Sequence, residues 1–347
     1  MTKIAFFGNL GVLNENQQQS TIVRVLNLSR RLEEDFGHTC TVTYSLSEKL
    51  GAIPQIIRNS DIVFFHRIQY SKATYVDLKF LIAFLLSKKY NKKTIFDFDD
   101  SIFLTFPIIT ELLISRASVV FAGSHYLHKH AARLNSKTSL IPSAVDTNVF
   151  KPAARAKNDG KIVIGWHGSM FSHFKNVSSI IPVMRVLGKK YDVRFKLIGT
   201  RGAVQIQSYF SKMIRNVEFD FGPDEWVSYD ELPLLMSDID ISISPLLDNM
   251  WTRGKCAMKA LESMALGIPV VADAVGEHNY VIRNCVNGFL AKNDKEWIDY
   301  LSLLIDDNSL RRQIGNTCRN FVERYYSLDC ISLKVHNLIK TLLSEVD

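Results

Sequence analysis

Between Arg253 and Ala272 the chain reads Arg-Gly-Lys-Cys-Ala-Met-Lys-Ala-Leu-Glu-Ser-Met-Ala-Leu-Gly-Ile-Pro-Val-Val-Ala. Three cations (Arg253, Lys255, Lys259) and one carboxylate (Glu262) fall within a segment of helical periodicity. A helix opening at Gly254 presents uncapped backbone N–H groups beside Arg253 and Lys255, the chemistry of a diphosphate site. Lys255 and Lys259 stand four residues apart, so one helix face carries both and suits a shared anion. Glu262, expected two turns in, reaches ribose hydroxyls rather than phosphate. A second group is Asp97, Asp99 and Asp100, at the end of an apolar run. Such carboxylates hold magnesium or manganese in some proteins. They equally serve as acceptor or cleft structure, or cap the helix that follows. His66 closes another apolar run, and Gly168-Ser169 a third.

These residues act only if regular elements hold them. Ala257, Met258, Leu261, Met264 and Ala265 recur at helical spacing. Gly267 suits a left-handed helix cap, and Pro269 starts the strand Val270-Val271-Ala272. Lys3–Gly8 reads as a strand, Asn9–Ser20 as a polar loop, Thr21–Asp35 as a helix and Cys40–Tyr44 as the next strand. The loop lies at a strand's C-terminal end, where open α/β sheets bind ligands. It lacks Gly-x-Gly-x-x-Gly, so no dinucleotide cofactor is expected. Asp61–His66, Thr94–Asp100, Val119–Ser124 and Ser139–Pro142 continue the strands, with a helix over 75–86 and a linker over 151–160. The pattern restarts with strands at Lys161–Gly168, Val193–Ile198 (followed by Gly199) and Asp240–Pro245. A helix near Val177–Leu187, helices Glu296–Ile305 and Asn308–Arg324 and a last helix complete it. The alternation predicts an α/β chain of two doubly wound, Rossmann-like domains facing across a cleft. Residues 1–155 form the first and 156–325 the second, with a C-terminal helix over 326–347 packing back on the first.

The chain has 347 residues, 47% hydrophobic and 22% charged, the balance of a globular protein. No apolar run nears the ~20 residues that span a bilayer. Met1-Thr-Lys-Ile-Ala-Phe-Phe runs straight into a strand, which predicts no signal peptide. Five scattered cysteines suit a reducing cytoplasm. Residues 1–155 hold 19 Lys+Arg and 12 Asp+Glu, while the remainder is balanced at 23 of each, so the net +7 lies in the first half. That excess is either a solvated face or a surface for anionic lipid or an acidic acceptor. No aromatic-basic motif points to nucleic acid.

The series Asp240-Ile-Ser-Ile-Ser-Pro245, Glu262-Ser-Met-Ala-Leu-Gly-Ile-Pro-Val-Val-Ala, Val275-Gly276 and Val286-Asn-Gly-Phe-Leu290 resembles glycosyltransferase family 4, of the two-domain GT-B fold. Gly37-His38, Asp61–His66, Ser124 and Ile141-Pro-Ser-Ala-Val-Asp146 match more loosely. Gly-Lys-Cys with a lysine four residues on resembles a branch active in surface polysaccharide synthesis. The resemblance implies a nucleotide-diphospho-sugar donor on the C-terminal domain and a saccharide or lipid-linked acceptor on the N-terminal one. It further implies retention of anomeric configuration, no metal and no cofactor. The cysteines point to a cytoplasmic setting, and the basic first half leaves room for peripheral contact at an anionic membrane face.

By the same resemblance Glu262 is the second glutamate of Glu-x7-Glu and bonds the ribose. The first falls at Gly254, leaving Asp248 as its substitute. Gly168-Ser169 stands where Gly-Arg is usual, and Lys175 lies near the phosphate lysine. Arg253, Lys255 and Lys259 make up the charge. The donor set is thus Gly168, Ser169, Lys175, Gly199, Asp248, Gly254, Lys259 and Glu262. The acceptor set is Gln19, Ser20, Asp97 and Asp99, and the catalytic set His66, Lys255 and Arg253. A nucleotide-sugar epimerase or a phosphorylase uses the same fold, and a non-catalytic partner subunit would account for the missing glutamate.

Overall fold

The computed structural model describes residues 1–8, 19–43, 50–67, 75–152 and 160–344. Most of the expected polar loop (9–18) and of the expected linker (153–159) lies outside the described residues. The chain divides into two compact units. One comprises Met1–Asp146, Arg253–Cys256 and Tyr326–Asp347, the other Thr147–Thr252 and Ala257–Tyr325.

The first unit is built on strands β1 (Lys3–Phe7), β2 (Thr39–Thr43), β3 (Ile62–His66), β4 (Lys93–Phe98), β5 (Val119–Ala122) and β6 (Thr138–Leu140). They pair in parallel in the order β2-β1-β3-β4-β5-β6. The runs Ile-Val-Phe-Phe-His and Val-Val-Phe-Ala are buried along their whole length, as parallel strands covered on both faces require. The C-terminal helix Leu328–Ser344 buries Leu328, Ile331, Val335, Ile339 and Leu342 in a core shared with Ile4, Phe6, Val25 and Leu28.

The second unit holds β7 (Ile162–His167), β8 (Val193–Ile198), β9 (Glu218–Asp220), β10 (Ile241–Ser244), β11 (Val270–Asp273) and β12 (Phe289–Ala291). Their order is β12-β11-β10-β7-β8-β9, again parallel. In each sheet the first strand is flanked by strands that leave it in opposite directions: β1 by β2 and β3, β7 by β8 and β10. Those are the switch points beside which doubly wound sheets take their ligands. Among the described residues no helix is long and apolar enough to cross a membrane.

Two helix expectations need correction. The helix expected near Val177–Leu187 is two helices, Met170–Ser178 and Ile181–Lys190, because Pro182 sits in the first turn of the second. The helix expected to open at Gly254 runs from Met258 to Ala265. A separate turn, Met250–Arg253, precedes it, and Ala257, at φ 54, breaks the helical path between them. This helix packs on Asn308–Tyr325 so closely that a Cβ at Gly315 would overlap the carbonyl oxygen of Gly267. Gly315→Ala is expected to lower stability by roughly 1–3 kcal/mol, outweighing the ~1 kcal/mol that alanine gains in a helix. Denaturant unfolding checks the sign, and a stabilised variant would contradict the contact.

Candidate functional site

In the second unit the candidate residues gather at the C-terminal ends of β7, β8 and β10. β7 runs out through His167 into Gly168, and β8 into Gly199. Gly168 has φ 134 and Gly199 φ 106, a region that favours glycine. The N–H of Gly168 donates to the carbonyl of Ile198 at 3.0 Å, and that of Met170 to the carbonyl of Gly199 at 3.3 Å. A Cβ on Gly199 would overlap the Gly168 carbonyl oxygen, and a Cβ on Gly168 would overlap Lys259 Cε. The lysine stem therefore lies directly on bare backbone.

Helix Met258–Ala265 points its amino end into this region. Its cap residue, Ala257, has no side chain to accept from the first N–H groups, which keeps them suited to an anion. Ser169 caps helix Met170–Ser178 by position, without a side-chain hydrogen bond. Lys259 Nζ lies 3.1 Å from Nε2 of His173. Glu262 is fully buried about one turn into its helix, not two, and its Oε2 is 2.9 Å from Nε2 of His167. Gly168, Ser169, Gly199, Lys259 and Glu262 are thus brought together, with His167 and His173 as partners that the sequence reading missed.

Three expected donor residues stand elsewhere. Lys175 is on the exposed face of its helix. Asp248 is exposed on the loop after β10, lining a cavity of about 370 Å³ with Asp273 and Asp294. Gly254 is buried in the first unit, where its carbonyl accepts from Ser124 Oγ at 3.2 Å and a Cβ would overlap Ser101 Oγ. Close packing accounts for that glycine. Of the two expected catalytic cations beside it, Arg253 is exposed, while Lys255 Nζ pairs with Asp100 Oδ1 at 2.7 Å. Lys255 precedes the helix, so it shares no helix face with Lys259.

The polar residues of the first unit collect at the ends of β3 and β4. His66 is fully buried, its Nδ1 2.7 Å from Asp97 Oδ2 and its Nε2 2.9 Å from Ser20 Oγ. The carboxylate accepts, so Nδ1 is the donor of that pair. Arg24, in a wide helical turn over Ile22–Asn27, donates from Nε to the same Asp97 Oδ2 at 2.9 Å and pairs with Oδ1. Burial disfavours the charged form of Asp97, but the guanidinium and these hydrogen bonds outweigh it and hold the carboxyl below its usual range. Burial likewise opposes ionisation of Asp99, but Arg67, 3.0 Å away, acting together with His66, Arg24 and a hydrogen bond from Ser20, holds this carboxyl below its usual range. Arg67 also pairs with Asp100. Each of the three carboxylates is thus engaged by a cation rather than by a helix end. Among the described residues no group of three or more His, Cys, Asp and Glu side chains is arranged to hold a metal. Gln19 and Ser20 are half-buried at the start of the helical run. The Ser20 hydroxyl thus occupies the hydrogen-bonding position at His66 Nε2.

The fold has known counterparts. A sucrose-phosphate synthase from Thermosynechococcus elongatus superposes with a TM-score of 0.73 at 14% identity, over 99% of this chain and 100% of that one. Anabaena HepE in complex with UDP-glucose gives 0.70 at 15%, over 98% and 100%. The lipopolysaccharide outer core galactosyltransferase WaaB gives 0.65 at 15%, over 98% and 99%. The fold is that of the GT-B glycosyltransferases. At these identities the likeness is one of fold alone. In sequence, residues 161–307, from β7 through β12, match the family model described as glycosyl transferases group 1. A search of curated proteins finds no match.

Two outcomes follow from the buried charges. Arg24→Met leaves Asp97 buried without its cation and is expected to cost about 3–5 kcal/mol in denaturant unfolding; a loss below about 1 kcal/mol would show the pair to be dispensable. In the second unit, burial lowers the pKa of His278 to about 4, while its Nδ1 donates to the Asp273 carbonyl at 3.0 Å and its Nε2 accepts from Ser244 at 3.1 Å. Between about 6.5 and about 4 the unfolded chain takes up a proton that the folded one does not. This contribution is full above about 6.5 and is lost as pH falls towards about 4. Unfolding measured near pH 7 and near pH 5 is expected to show a smaller acid loss for His278→Gln than for the parent.

Proposed function

We propose that the chain is a glycosyltransferase that moves a sugar from a nucleotide-diphospho-sugar to a saccharide or lipid-linked acceptor. The observation that carries this is the cradle made by Gly168, Gly199, Lys259 and the amino end of Met258–Ala265. It is side-chain-free backbone, one cation and uncapped N–H groups at a switch point, inside the segment that matches the glycosyl transferases. A diphosphate fits that chemistry. The complex of HepE with UDP-glucose makes UDP-sugars the first donors to test.

As the glycosidic bond breaks, negative charge gathers on the departing nucleotide diphosphate. Lys259 and the helix N–H groups, fixed before the reaction, stabilise that charge more than the ground state, which is what accelerates the step. We assign this role to Lys259 rather than Lys255, whose ammonium is matched by Asp100. Glu262, oriented by His167, is read as the ribose ligand. The donor phosphate oxygen accepts the proton of the acceptor hydroxyl, in a retaining reaction that uses no metal. In the first unit Ser20 is the hydroxyl that an acceptor would replace at His66, while Asp97 and Asp99 position the network around it. We place the enzyme in the cytoplasm, with the basic first half towards an anionic membrane face.

Thermal stabilisation by a panel of UDP-, GDP- and ADP-sugars tests the reading. At least one is expected to raise the melting temperature, and Lys259→Met is expected to slow transfer from it by roughly 100-fold. A chain stabilised by none of them, or a variant as fast as the parent, would overturn it.

A further inference from the structure

Helix Met170–Ser178 carries His173 and Asn176 on its buried side, and a chain of hydrogen bonds there decides where the imidazole proton sits. The backbone N–H of Leu247 lies 3.0 Å from Oδ1 of Asn176. A backbone N–H only donates, so the amide atom that meets it is the oxygen, and the orientation of Asn176 follows. The amide nitrogen, which has hydrogens to give and no lone pair to offer, then faces Nδ1 of His173 at 3.2 Å. Nδ1 is therefore the accepting nitrogen. A neutral imidazole carries one hydrogen, which here is on Nε2. That N–H faces Nζ of Lys259 across 3.1 Å.

Two donors thus meet at hydrogen-bond distance beside the bare backbone of Gly168. The ring of Trp166 flanks both, with its centroid 6.0 Å from that of His173 and 5.9 Å from Lys259 Nζ. An anionic oxygen against both nitrogens accepts from each. A neutral N–H adds a hydrogen bond there without a second positive charge to repel the ammonium. We infer that His173 Nε2–H and Lys259 Nζ together hold one phosphate oxygen of a nucleoside diphosphate. Asn176 and the Leu247 N–H are the positioning groups that keep the imidazole in its donating tautomer. The identity of the anion rests on the glycosyltransferase reading; the tautomer does not.

The tautomer is read first, by nitrogen-15 NMR of the imidazoles in the free full-length chain, with His173→Gln to assign the signals. Proton on Nε2 is the expected result, and proton on Nδ1 overturns the inference whatever the chain binds. UDP, GDP and ADP are then titrated. The His173 Nε2–H signal is expected to move on saturation by the nucleotide that binds, and an unmoved signal overturns the contact. His173→Leu is expected to weaken that nucleotide roughly tenfold while leaving affinity for its nucleoside unchanged. Equal losses, or none, overturn the phosphate contact. If none of the three nucleotides binds, the proposed donor is wrong, and inorganic pyrophosphate decides the anion site by itself. A shift of the Nε2–H signal keeps the site, and an unmoved signal removes it.

Discussion

The carbonyl oxygen of Gly168 occupies the place where a side chain at residue 199 would stand. That single approach of one strand's end to the next governs the second unit. It requires positive φ at both glycines, and it clears the ground on which the Lys259 stem lies. Once the backbone is bare there, the amino end of Met258–Ala265 and the His173 side of Met170–Ser178 converge on the same spot. The sheet order explains the location: β8 and β10 lie on opposite sides of β7, the switch point beside which doubly wound sheets take their ligands.

The first unit uses its polar residues differently at the corresponding strand ends. Arg24, Arg67 and Lys255 meet Asp97, Asp99 and Asp100 one for one or better. Burial pushes the carboxyls of Asp97 and Asp99 up, and the neighbouring guanidinium groups, with His66 and the side-chain hydrogen bonds, bring both below their usual range. The result is a neutralised, rigid polar layer that holds His66 and Ser20. The second unit instead sets the Lys259 ammonium against the His173 imidazole.

Much of the fold was legible along the chain. Runs such as Ile62-Val-Phe-Phe-His66 are apolar without alternation, as strands buried on both faces must be, and the repeated strand-helix order allows little besides parallel sheets. The helix start at Met258 was not legible. Ala257 departs from helical conformation while its neighbours keep helical spacing, so periodicity carries straight across the break. His173 left a signal that went unused. Met170, His173 and Val177 recur at three- and four-residue intervals on one face, whereas Lys175 falls on the other. Charge marks Lys175 in the sequence, whereas helix face marks His173.

The amino-acid sequence by itself determined the alternation of elements, the two-domain α/β plan and the glycines at the strand ends, because these depend on local periodicity and local steric freedom. Tertiary structure alone decided which charges meet. Arg24 and Asp97 are far apart in sequence, as are Lys259 and His173, and Asp100 and Lys255. Each encounter depends on which strands lie side by side, and one residue's shift in a helix start turns a side chain through about 100°. That is why Lys255, next to Gly254 in the chain, pairs with a carboxylate in the first unit, while Lys259 lies against Gly168 and His173 in the second.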